Sequence, residues 1–131
     1  GLIAAVPGAD WAALDERETG YDRVHVPQGI THQAEDAGHI AVYTIPADKH
    51  GPADGERPIL LSYLDVVVQG YLQVFGEKGG EDFFATTAGW DTVILDDRTA
   101  PQYPRAQVLS QPETDFVDHH LSELNATLRK E

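Results

Sequence analysis

A carboxylate at a helix end and three tyrosines are the side chains of this sequence best suited to moving a proton or orienting a small polar ligand. The carboxylate is Glu18. The stretch LDERETGYDRVHV at 14–26 predicts a helix ending near residue 18 or 19, a turn at Gly20 and a strand over 21–26. On that helix Trp11, Leu14 and Glu18 are spaced by three and four residues and share one face. Trp11 and Leu14 are expected to point inward and to carry Glu18 in with them. Lost hydration and the negative end of the helix dipole then favour proton retention, which suits a general acid or base. The competing reading is structural: Glu18 pairs with Arg17 or Arg23 at the surface. Asp15 lies near the same face, with Arg23 as its available partner.

The tyrosines are Tyr21, which opens the strand after the turn, Tyr43 within AVYTI, and Tyr63 on the first turns of a long predicted helix. Each can pack its ring and still offer a hydroxyl. Taken singly, each is better explained as a core residue whose hydroxyl is satisfied. The histidines give a weaker pattern. His25, His32 and His39 are evenly spaced across a predicted loop rather than along one face, His119 and His120 are adjacent, and no HExxH occurs. No metal site is assigned. A phosphate-cradling glycine loop and a GxSxG elbow are also absent from the sequence. DDR at 96–98 and YPR at 103–105 could anchor a ligand carboxylate, although such groups more often pin a loop to its own body.

These residues must be held by a chain of 131 residues, the length of one ordinary domain, with 41% hydrophobic and 24% charged residues. Nine basic against 22 acidic side chains give a formal net charge of −13. Such a surface repels phosphate backbones and anionic membranes, so neither nucleic acid nor membrane is expected as a partner. No apolar run of about 18 residues is present to span a bilayer. The absence of cysteine excludes disulfides and thiolate zinc sites, and a cytoplasmic setting fits.

In chain order, the pattern predicts a buried strand over 2–6, a helix capped by Asp10 and running to 18 or 19, and a strand over 21–26. An irregular stretch over 27–38, a strand over 39–45 and a loop over 47–57 follow. A long helix is expected from Pro58 to 75 or 76, a break at Gly79-Gly80, a short helix over 81–87, an extended excursion over 89–110 and a last helix over 113–128. This order lacks the strand count of a doubly wound sheet. The expected class is α+β, a small mixed sheet or barrel flanked by helices, in a single domain spanning 1–131.

LDEREtGYdRVhV closely resembles the signature of the gamma-glutamylcyclotransferase-like family, in which an LDxxE helix end is followed by a glycine turn and a tyrosine opening a YxRVxV strand. AVYTI resembles a further tyrosine-bearing strand of that family, and SYLDVVVQG resembles a helix with a tyrosine followed seven places on by a glycine. The ordered set covers about residues 1–70. The stretch containing GW, DDR and YPR looks like the tail of bacterial members. The resemblance implies a gamma-glutamylcyclotransferase-like fold, Glu18 as catalytic acid/base, and Tyr21, Tyr43 and Tyr63 as substrate-binding residues. Family members begin with a YGSL- or YGTL-type strand and loop, which this sequence lacks, so the domain is expected to be N-terminally incomplete.

The implied chemistry is intramolecular. The α-amine of a gamma-glutamyl amine, amino acid or peptide attacks its own γ-carbonyl and releases 5-oxoproline, with no metal or organic cofactor. Two alternatives stay open. One is a non-catalytic small-molecule-binding or structural member of the same fold, and the other is a small metal-dependent hydrolase using the histidines. The sequence also leaves homo-oligomerisation open.

Overall fold

The computed structural model describes residues 2–26, 30–34, 37–49 and 57–130. The chain divides into two compact units, Gly1–Gly51 and Pro52–Glu131. Both α-helices and β-strands are present, so the class is mixed α and β. Two small sheets form, and among the described residues neither closes into a barrel.

In the first unit, α1 spans Trp11–Arg17 and is followed by β1 (Asp22–His25) and β2 (Ala41–Thr44). Asp10 caps α1, its carboxylate accepting the Ala13 N–H at 3.1 Å, as its residue type predicts. The helix stops at Arg17, and Gly20, at φ 99°, carries the turn into β1. β1 and β2 pair antiparallel, with Arg23 opposite Tyr43 and Val24 opposite Val42. The expected strand over 2–6 is not there. Leu2 is 76% exposed and Ile3 45%, and the run ends in a 3-10 turn at Pro7–Ala9. An apolar run becomes a strand only beside a partner that takes up its backbone groups, and no described strand lies alongside this one. The stretches expected over 27–38 and 47–57 fall partly outside the described residues. Within the second, Ala47–Lys49 forms a 3-10 turn.

The second unit alternates strand and helix. β3 (Ile59–Leu60) leads into α2 (Leu61–Thr86), then β4 (Val93–Asp96), α3 (Gln111–Glu123) and β5 (Thr127–Lys130). The three strands lie in the order β3-β4-β5 and are parallel, with Leu60 opposite Leu95 and Leu95 opposite Arg129. Each helix is thus the crossover that parallel neighbours require. The core lies here. Leu61, Leu64 and Val68 of α2 recur at helical spacing and pack with Phe84, Ile94, Val117 and Leu121.

Four expectations change in this unit. Pro58 precedes a short strand rather than the helix itself. The long helix is interrupted at Gly76 (φ 70°, ψ −171°), where the sequence ended it, but Gly79-Gly80, expected as a break, lies within the helical stretch that follows. The last helix ends at Glu123, because Asn125 at φ 52° turns the chain out into β5. The excursion over 89–110 contains β4, whose VIL core is a short buried run of the kind central parallel strands show.

Candidate functional site

The helix–turn–strand segment at 14–26 forms as its sequence predicts, and β-register decides what it assembles. Because Arg23 stands opposite Tyr43, both side chains reach the same flank of the hairpin, where Asp15 of α1 meets them. The Arg23 guanidinium forks onto Asp15, with Nε 2.8 Å from Oδ1 and Nη2 3.1 Å from Oδ2. The Tyr43 hydroxyl donates to the same Oδ1 at 2.5 Å. Arg23 also lies over the Trp11 ring at 4.8 Å from its centroid, a cation–π contact that fixes the guanidinium from its second side. Trp11 meets His39 edge-on, and His39 stacks on His25 with centroids 4.2 Å apart. The His25 Nδ1–H donates to the Ile40 carbonyl at 2.9 Å, tying the stack to the residue just before β2.

The electrostatics follow from these bonds. The hydrogen bond from Tyr43, and then that from Arg23, hold the Asp15 carboxyl below the usual carboxylate range. Tyr43 moves the other way. Its partial burial, then its bond to Asp15 and that residue's charge, raise the phenol above the ordinary tyrosine value. The Glu18 charge adds to this rise, so Glu18 lies within electrostatic reach of the Tyr43 hydroxyl.

Glu18 itself corrects an expectation. It is not turned into a dry interior. Its side chain is 31% exposed and pairs with Arg17, Oε1 standing 3.0 Å from Nη2 and accepting from Nε at 3.1 Å. The structural alternative offered by the sequence, a pair with Arg17, is therefore the observed state. Glu18 is the C-cap, at ψ 30°, one residue past the regular helix, so three-and-four spacing overstates how far it follows Trp11 and Leu14 inward. Nor does the first unit have a dry interior to receive it, since none of its described residues is fully buried.

Tyr21 is 49% exposed, and its N–H closes the turn onto the Glu18 carbonyl at 3.0 Å. Tyr63 belongs to the second unit. It is 48% exposed and meets Tyr103 edge-on at 5.0 Å. The structure thus assembles Glu18, Tyr21 and Tyr43 around one helix–turn–strand, with Tyr63 in the other unit. Sequence reasoning paired Asp15 with Arg23 but missed the bond from Tyr43. The signal was available in the hairpin pairing, which sets Arg23 across from Tyr43.

A groove of about 1310 Å³ opens in the first unit, lined mainly by apolar residues such as Leu2, Val6, Trp11, Leu14 and Ile40. Tyr43 and Arg17 contribute polar groups to its described lining, whereas Glu18 and Tyr21 do not. Among the described residues no group of three or more histidine and acidic side chains is arranged to hold a metal ion. No helix among them is long and apolar enough to cross a membrane.

The DDR and YPR segments serve the second unit's own body. Asp97 is 1% exposed and accepts the Ser62 N–H at 2.8 Å, the Ser62 hydroxyl at 2.6 Å and the Gln102 N–H at 2.8 Å. Arg98 forks onto buried Asp65, both bonds at 2.8 Å, and reaches Asp118 at 2.6 Å. The Tyr103 N–H donates to the Ser62 hydroxyl at 3.3 Å. With every described buried side-chain nitrogen and oxygen partnered, this network is a structural brace.

Against this geometry, no family model, no curated protein and no solved structure matches the chain.

Proposed function

We propose that the protein is a cyclotransferase of the gamma-glutamylcyclotransferase-like type, with the corresponding fold, acting on a gamma-glutamyl amine, amino acid or peptide. The observation that carries this reading is Glu18. It is a half-exposed carboxylate at the close of an LDxxE helix, within electrostatic reach of a tyrosine hydroxyl that Asp15 holds in place. In the proposed reaction Glu18 exchanges Arg17 for the substrate and takes a proton from its α-ammonium. The freed amine forms a C–N bond to the γ-carbonyl carbon. The ring nitrogen of the intermediate gives its second proton to solvent as the bond to the leaving nitrogen breaks, and Glu18 returns its own proton to that leaving nitrogen. The products are 5-oxoproline and the released amine, and the carboxylate ends in its starting state. Tyr21 and Tyr43 orient the gamma-glutamyl group. The resemblance assigns Tyr63 to substrate binding as well, and Tyr63→Phe tests that assignment by itself. The chemistry calls on no cofactor.

The test is product formation. Full-length protein incubated with a panel of gamma-glutamyl amines, amino acids and peptides is expected to release 5-oxoproline from at least one. A second reading, a non-catalytic binder of the same fold, is favoured by the Arg17–Glu18 pair, which occupies the proposed base in the unliganded protein. Saturable binding of a gamma-glutamyl compound with no 5-oxoproline formed would select it.

A further inference from the structure

The groove of the first unit is apolar and wet at once. Ile3, Val6, Trp11, Leu14, Ile30 and Ile40 contribute to its lining, and none of the unit's described residues is fully buried. Ile3, Ile30 and Val42, which also lines it, are exposed. An apolar group laid on such a surface releases the water held there, which is the driving force for binding one. Charge is scarce. Asp10 and Arg17 are the charged side chains of the described lining, and both are engaged. Asp10 accepts the Ala13 N–H at 3.1 Å, and Arg17 pairs with Glu18 at 3.0 Å. The described lining residues before Asp10 and after Arg17 include no acidic side chain, lysine or arginine, and His39 among them is held between the His25 and Trp11 rings. Glu18, Asp15 and Arg23 stand outside this lining, so the groove is not where the bond breaks. Arg17 belongs to both places: it lines the groove and holds Glu18 Oε1. A substrate that takes Glu18 from Arg17 therefore stands where the groove begins.

We propose that this groove receives the body of the leaving amine, and that the substrates are gamma-glutamyl conjugates of apolar monoamines, in preference to those of diamines, lysine side chains or peptides with charged tails. This rests on the gamma-glutamyl reading and narrows it. Each methylene carried along the groove covers apolar surface that is otherwise wet. A charged end carried along it loses water and meets no free partner in the described lining. At about 1310 Å³ the groove exceeds the roughly 300–1,000 Å³ of ordinary small-ligand pockets, so a short series of amines does not outgrow it.

Release of 5-oxoproline by the full-length protein from a homologous series tests the assignment. The gamma-glutamyl conjugates of ethylamine, butylamine and hexylamine share the reacting atoms and differ only in apolar length. Their kcat/KM is expected to rise about two- to fourfold for each added methylene, the scale of burying one such group. The conjugate of pentane-1,5-diamine matches that of hexylamine atom for atom but ends in an ammonium, and should fall at least about tenfold below it. The chain's net charge of −13 attracts the diamine, so a preference for hexylamine has to come from the groove. Val6→Asp sets a carboxylate in the lining, at a residue in no helix or strand. It is expected to flatten the alkyl series and to raise turnover of the diamine conjugate above that of the hexylamine one, a gain that unfolding cannot produce. Equal kcat/KM across the wild-type series overturns the groove assignment while sparing the gamma-glutamyl reading. So does a diamine conjugate turned over as well as the hexylamine one, or a folded Val6→Asp that keeps the wild-type order. Release only from gamma-glutamyl amino acids or peptides likewise removes the groove assignment alone. No 5-oxoproline from any of these compounds overturns the gamma-glutamyl reading and the groove assignment with it.

Discussion

Asp97 caps the helix of a different element. It stands just past the end of β4, and its two oxygens take both the N–H and the hydroxyl of Ser62, in the first turn of α2. Leu60, the residue at the helix N-cap, offers no side-chain acceptor. The carboxylate that satisfies the helix N-terminus therefore arrives from the neighbouring parallel strand, which couples strand pairing to helix formation.

This coupling predicts a pH dependence. Burial pushes the Asp97 carboxyl up, but the bonds from the Ser62 hydroxyl, the Gln102 N–H and the Ser62 N–H outweigh it, and the net shift is downward. A carboxyl lowered on folding stabilises the native state above its unfolded value of about 3.9 and loses that contribution as pH falls through the folded value. Asp97→Asn should cost about 3 kcal/mol at pH 7. Its stability should then change less than the wild type's between about pH 5 and pH 2. Urea unfolding at the two ends of that range checks both statements, and parallel curves would refute the second.

The two glycine positions of α2 should fail for different reasons. Gly76 adopts φ 70°, ψ −171°, with nothing within 4 Å of a built Cβ, so Gly76→Ala should cost about 1–3 kcal/mol through backbone strain alone. A Cβ on Gly80 would stand 2.8 Å from the Phe116 ring and 3.0 Å from Leu72 Cδ2. Gly80→Ala should cost a similar amount by overpacking, about 1–3 kcal/mol. Phe116→Leu should therefore lessen the penalty of Gly80→Ala and leave that of Gly76→Ala untouched. A double-mutant cycle by thermal unfolding reads the difference.

Hydrogen exchange should separate the two units. Among the described residues, the fully buried apolar ones, including Leu61, Val68, Ile94, Val117 and Leu121, lie in the second. Amides of α1, β1 and β2 are expected to exchange faster, by about tenfold or more, than those of α2, β4 and α3, because few buried contacts oppose their local opening. Equal protection across both units would contradict this.

Much of the first unit was legible in the sequence. Asp10, Gly20 and the alternation after it fix a capped helix, a turn and a strand by local chemistry, and those elements formed. Long-range pairing was less legible. Residues 2–6 carry a strand-like pattern, yet Leu2 stands exposed, because apolar content cannot reveal whether a partner strand exists. Val93–Asp96 and Thr127–Lys130 went unread because parallel strands this short have no hairpin turn to announce them. Gly80 read as a breaker, although its missing side chain makes room for Phe116, while Gly76, where the sequence ended the long helix, does interrupt it. At the candidate site the tyrosines and Glu18 were legible as residue types. That Glu18 pairs with Arg17 while Asp15 takes the tyrosine proton depended on one helix position and one strand register.

The most direct measurement is 5-oxoproline release by full-length wild-type protein and by Glu18→Gln, with circular dichroism confirming that both are folded. Glutamine keeps the shape of Glu18 but can neither take the α-ammonium proton nor return it. A half-exposed position should tolerate the change with little loss of stability, about 0.5 kcal/mol or less. The proposal predicts release by the wild type and a rate reduced by at least about a hundredfold in the folded variant, the lower range for loss of a general acid/base. Undiminished release by Glu18→Gln would contradict it.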